Sequence, residues 1–122
     1  MQTRTERIQK DIETLAQFTS TPGKGVTRSS YSKEDTMAKD YLTGEMKKIG
    51  LEIYEDGFGT LFGRREGTMK DAPVVMLGSH YDSVVNGGAF DGVAGSVSAL
   101  EVMRVLTEEG FVNDYPLELI LM

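Results

Sequence analysis

His80 and Asp82 stand two residues apart just beyond the apolar run Pro73-Val74-Val75-Met76-Leu77-Gly78. In extended chain that spacing sends both side chains to the same side. A carboxylate placed there can orient an imidazole and raise its basicity toward a metal ion, a common arrangement behind metal-bound histidine. Asp91 follows the Gly-rich stretch Asn86-Gly87-Gly88-Ala89-Phe90, which is flexible enough to fold back toward His80. Its two oxygens can bridge two hard or borderline cations, so His80 and Asp91 could begin a two-metal site.

Simpler readings stand beside this one. A single His near a strand end is usually a hydrogen-bonded polar residue, and Asp91 directly before a helix serves equally as its N-cap. Gly87 and Gly88 can be turn residues. The Gly-rich loop also resembles an anion cradle, but it has neither the Lys and Ser/Thr of a P-loop nor the spacing of a dinucleotide fingerprint. Ser79, Ser83 and Ser96 lie near His80 without a G-x-S-x-G elbow. Glu108-Glu109 ends a helix far along the chain and reads as a solvated pair.

Composition narrows the classes. The chain has 122 residues, no Cys, one His and a formal net charge of -6, enough for one domain with a real core. Without Cys there are no disulfides, thiolate catalysis or thiolate metal sites, which leaves His80 and carboxylates as ligands. The acidic balance argues against nucleic-acid binding. Neither a membrane span nor an apolar signal-peptide core is evident, so a cytoplasmic setting is expected. The basic pairs Lys47-Lys48 and Arg64-Arg65 read as solvated surface, and Arg28 as a surface charge in a loop.

The elements that must position these residues follow from periodicity. Ile8, Ile12, Leu15 and Ala16 predict a helix from about Thr5 to Phe18, with Thr3 and Glu6 spaced as a capping box. Thr19 to Tyr31 is a Thr/Ser/Gly-rich loop, and Ser32 caps a second helix carrying Ala38, Leu42, Met46 and Ile49 to Gly50. Leu51–Glu55 and Thr60–Arg65 read as a hairpin. Pro73–Gly78 reads as a strand covered on both faces by helices. A small-residue helix from about Gly92 to Glu109 and a last strand, Pro116–Met122, complete an α/β order whose final units form a parallel crossover. The chain stops within that apolar strand, so a fragment of a longer protein is expected.

The stretch Gly78-Ser79-His80-Tyr81-Asp82-Ser83-Val84-Val85-Asn86-Gly87-Gly88-Ala89-Phe90-Asp91-Gly92-Val93-Ala94-Gly95 resembles the first metal motif of a group of two-metal amidohydrolases. That group includes allantoate amidohydrolase and N-carbamoyl-L-amino-acid hydrolase, within the wider aminoacylase and carboxypeptidase family of zinc-type peptidases. Gly25-Val26-Thr27-Arg28-Ser29-Ser30-Tyr31-Ser32 is similar to the upstream part of the same enzymes. The resemblance implies a three-layer α/β catalytic domain with a mixed, mainly parallel sheet, incomplete in this chain. Residues 1–122 would be its N-terminal part, and a dimerisation domain would lie outside them.

It also implies roles. His80 would bind one of two divalent ions (zinc or manganese, with cobalt or nickel as alternatives), Asp91 would bridge both, and Asp82 would be the catalytic-site group holding His80. Metal-activated water would attack a linear amide or ureido carbon of allantoate or an N-carbamoyl-L-amino acid, with a Glu as proton carrier. That Glu belongs to a Glu-Glu pair expected beyond Met122, and two further His ligands are expected later still. The parent enzyme is expected to be a cytoplasmic homodimer, and this chain alone to lack turnover and bind metal weakly. A peptidase or aminoacylase of the same family, and a truncated non-catalytic interaction module, are the alternatives.

Overall fold

A computed structural model describes residues 1–122. Its elements are α1 (Thr5–Ala16), α2 (Lys33–Lys48), β1 (Glu52–Glu55), β2 (Leu61–Arg65), β3 (Val75–Ser79), α3 (Val93–Glu108) and β4 (Leu117–Leu121). They form one four-stranded sheet in the order β1-β2-β4-β3. β1 pairs with β2 and β2 with β4 in antiparallel fashion, while β3 pairs with β4 in parallel. The expected mixed α/β fold, hairpin and crossover are therefore present. The parallel share is one pairing of three, because a parallel neighbour needs a crossover helix and only α3 serves as one here.

One core binds the layers. Ile12 and Leu15 of α1, Leu42 and Met46 of α2, and Val97, Leu100 and Met103 of α3 join Leu61, Leu119 and Leu121 of the sheet in a single cluster. All three helices thus cover one sheet face, so this chain holds two layers of the expected three. The expectation that Pro73–Gly78 is covered on both faces fails for this reason: β3 is an edge strand, and Val75 and Met76 are 47% and 54% exposed. On the other face, Tyr54 and Phe62 stack with ring centroids 4.7 Å apart, as opposed cross-strand aromatics do. Gly63 leaves room for α2, since a Cβ there would lie 2.6 Å from the Met46 sulfur.

Ser32 caps α2 as its sequence predicts, its Oγ accepting the Asp35 N–H at 3.1 Å. The capping box expected from Thr3 and Glu6 is absent. The N-cap of α1 is Arg4, which has no side-chain cap; its backbone N–H instead donates to Glu101 Oε1 of α3 at 2.9 Å. A tertiary partner has replaced a local one.

Glu101 belongs to a network of buried charges between the helices. Arg7 Nη2 donates to it at 2.6 Å, and Arg7 also pairs with Glu108, which stays exposed as the sequence reading expects. Arg104 Nη1 donates to Asp11 Oδ2 at 2.6 Å, and the Tyr41 hydroxyl donates to Asp11 Oδ1 at 2.5 Å. Arg104 reaches Glu45 as well, at 3.2 Å. The other basic pair is engaged too: Arg64 donates to Glu66 and Glu118, and Arg65 to Asn113, Thr107 and the Phe111 carbonyl.

Burial pushes the Glu101 carboxyl up, but hydrogen bonds from Arg7 and the Arg4 N–H outweigh it and hold the group below the usual range. At Glu45 burial is likewise overcome, by Lys48 and Arg104. A carboxyl with a depressed folded pKa adds stability above its unfolded value, about 4.3, and that stability is lost as pH falls through the folded value. The melting temperature should therefore fall between about pH 5 and pH 3, and Glu101→Gln should flatten that fall. A profile of Tm against pH that is the same for both proteins would contradict this.

Candidate metal centre

The site lies where β3 and β4 end and α3 begins, the position at which open α/β sheets place their ligands. The strand pairing runs on past β3, with Tyr81 N–H donating to Met122 O at 2.8 Å and Met122 N–H to Ser79 O at 3.0 Å. His80 is thus held in extended chain at the sheet edge. Its carbonyl accepts from Ser96 Oγ of α3 at 2.8 Å.

The His80 ring rests on the N-terminus of α3. Gly92, the N-cap of that helix, has φ 70° and ψ −44°, and a Cβ on it would overlap the ring at Cε1, Nδ1 and Nε2. Gly95, one turn on, is similarly constrained: a Cβ there would be 2.9 Å from the Ser79 Cβ. The small residues opening α3 therefore let strand end and helix meet closely enough to seat an imidazole between them. Asp91 is not the N-cap; its side chain is 71% exposed and turned toward His80.

His80 Nδ1 lies 3.0 Å from Asp82 Oδ1. Because a carboxylate accepts, this contact places a proton on Nδ1, and in the neutral ring Nε2 then carries the lone pair. Nε2 faces Asp91 Oδ1 at 3.5 Å, which is long for a direct hydrogen bond. Two ligands about 2.0–2.2 Å from one ion at a tetrahedral angle would stand roughly 3.4 Å apart. The pair thus fits a shared divalent cation. No group of three His, Cys, Asp or Glu side chains that could hold an ion converges in the chain; His80 and Asp91 form a facing pair, with Asp82 on the other ring nitrogen.

Arg28 departs most from its sequence reading. It is 1% exposed rather than a surface charge, and its guanidinium donates to three backbone carbonyls, those of Tyr81 at 2.7 Å, Leu15 at 2.6 Å and Phe18 at 3.0 Å. Burial lowers its pKa from the ordinary arginine value. Beside it Ser30 Oγ donates to Asp82 Oδ2 at 3.0 Å, so both Asp82 oxygens are engaged. A cleft of about 220 Å³ opens beside His80 and Asp82, lined also by Ser30, Tyr31, Lys39 and Phe58. That is below the roughly 300–1,000 Å³ of ordinary small-molecule sites.

His80, Asp82 and Asp91 are thus gathered at the strand ends of a mixed α/β sheet. The chain belongs to Peptidase family M28, whose pattern residues 60–122 match. It is 50% identical over 115 residues to an N-carbamoyl-L-amino-acid amidohydrolase of Paenarthrobacter aurescens, a match covering 94% of this chain and 28% of that protein. It is 41% identical to the allantoate amidohydrolase of Bacillus subtilis, over 80% of this chain and 24% of that one. Its fold superposes on a hydantoinase/carbamoylase family amidase from Burkholderia ambifaria with a TM-score of 0.92 at 34% identity, covering 98% of this chain and 29% of the amidase. The chain spans less than a third of the length of these relatives. No helix is long and apolar enough to cross a membrane.

Proposed function

We propose that the protein is a metal-dependent amidohydrolase that cleaves a linear amide or ureido C–N bond, with an N-carbamoyl-L-amino acid or allantoate as substrate. The observation that carries this is the paired geometry at His80: Nδ1 is taken by Asp82 while the free Nε2 faces Asp91 at 3.5 Å. His80 and Asp91 would hold the metal, with Asp91 shared between two divalent ions, zinc or manganese. Such ions polarise a carbonyl oxygen and lower the pKa of water. Asp82 keeps the imidazole in the tautomer that offers Nε2, and Ser96 and Gly92 keep the ring at the helix end.

Residues 1–122 form the N-terminal part of the catalytic domain in this reading. A proton-carrying Glu, the remaining ligands and a dimerisation domain come from residues outside 1–122, and the whole protein works as a cytoplasmic homodimer. The relatives' greater length supports a catalytic domain that extends beyond these residues.

The test is release of the free amino acid from N-carbamoyl-L-amino acids, N-acyl amino acids and dipeptides, and of ammonia from allantoate, by the protein carrying its whole catalytic domain. His80→Ala and Asp91→Ala are each expected to lower kcat/KM by about 10³-fold or more, since the ions are asked for several kcal/mol. Chelation should abolish turnover, and zinc or manganese should restore it. Turnover unaffected by either substitution would refute the reading, and turnover confined to dipeptides or N-acyl amino acids would move it to a peptidase or aminoacylase.

A further inference from the structure

The loop preceding α2 runs alongside the segment that carries His80 and Asp82 and is bonded to it at every step. Val26 and Gly87 exchange two backbone hydrogen bonds of 2.8 Å, and Gly25, at φ 88°, leaves no room for a Cβ against the Gly87 carbonyl. Arg28 N–H donates to Ser83 Oγ at 2.8 Å and Arg28 O accepts from Ser83 N–H at 2.8 Å. Between these rungs the buried Arg28 guanidinium grips the Tyr81 carbonyl, the peptide that separates His80 from Asp82. Its Nη1 is fixed to the carbonyls of Leu15 in the last turn of α1 and Phe18 just beyond it. The guanidinium is therefore a rigid strut from α1 to the chain between the two site residues. Ser30 adds the last constraint, on the Asp82 carboxylate itself.

We propose that Arg28 and Ser30 are positioning residues for the metal site: Arg28 fixes the backbone from which His80 and Asp82 project, and Ser30 fixes the Asp82 carboxylate that selects the His80 tautomer. The proposal rests on the reading of His80 and Asp91 as ligands only in its metal arm. Lysine cannot replace Arg28, because a single ammonium lacks the planar fork that reaches carbonyls on two sides. Ser30 is a milder test, since losing its hydroxyl removes one hydrogen bond and no packing strut.

The experiment uses the protein carrying its whole catalytic domain, ¹⁵N-labelled at histidine, as wild type, Arg28→Lys, Ser30→Ala and His80→Ala, the last assigning the His80 ring signals. The metal-free readout is the His80 ring ¹⁵N pattern at one fixed pH. The wild type should show the Nδ1–H tautomer, and both positioning variants should show a mixture of tautomers with circular dichroism unchanged. The metal readout is Zn²⁺ titration by calorimetry, in which both variants should bind about 10- to 100-fold more weakly than wild type. A folded Arg28→Lys or Ser30→Ala protein with the wild-type ring pattern and a Kd within twofold would overturn the proposal. Should Arg28→Lys fail to fold, Ser30→Ala decides alone. If His80→Ala binds Zn²⁺ as well as wild type, the ligand reading fails, and the ring pattern still decides the positioning role.

Discussion

Gly92→Ala is expected to abolish the His80 geometry. The new Cβ would occupy the space of the imidazole ring, so either the ring leaves its place between Asp82 and Asp91 or the first turn of α3 moves away. The backbone adds a second cost. At φ 70° and ψ −44°, Gly92 is near the γ-turn region that is strained for L residues, and such conformations cost about 1–3 kcal/mol. The expected result is a stability loss of that order in urea denaturation, with Zn²⁺ affinity reduced about 100-fold, as for loss of a ligand's support. Gly88→Ala is the control: a Cβ there meets nothing within 4 Å, and neither quantity should change. Equal Zn²⁺ affinity in the Gly92→Ala and wild-type chains would show that the ring does not bind metal from this position.

Arg104→Met is expected to produce the largest loss of stability. Its guanidinium neutralises Asp11, whose side chain is 2% exposed, and also contacts Glu45 and Glu101. Removing it leaves the buried Asp11 carboxylate without a counter-charge, which costs about 3–5 kcal/mol. Replacing both partners, as Asp11→Leu with Arg104→Met, removes the stranded charge as well and should recover part of that loss. Urea denaturation of the two variants and wild type measures this. A loss below about 1 kcal/mol for Arg104→Met would mean that water reaches the network and screens it.

What could be read from the sequence follows from how local the determinants are. The three helices and both ends of the β1–β2 hairpin were legible because their apolar stripes and the Ser32 cap are set by neighbours a few residues away. The start of α1 at Thr5 holds but its expected capping box fails, because the free N–H of the N-cap is satisfied by Glu101, 97 positions on. Arg28 was misread for the same reason: its partners are backbone carbonyls that carry no side-chain signal and come together only on folding. The charged network did leave a trace. Asp11 lies on the apolar stripe of α1 beside Ile8, Ile12 and Leu15, and Glu101 and Arg104 lie on that of α3 with Val97 and Leu100; charges on buried stripes need partners. At the site, the two-residue spacing of His80 and Asp82 anticipated their contact, whereas the approach of Asp91 depends on how Gly87 docks against Val26.

The central claim is that His80 Nε2 and Asp91 share a divalent cation. It is tested most directly by anomalous diffraction at the zinc edge from crystals of the zinc-loaded protein. A peak bonded to His80 Nε2 and Asp91, with Asp82 still on Nδ1, is the expected result. Zinc bound elsewhere, with His80 Nε2 and Asp91 both free of it, would contradict the account.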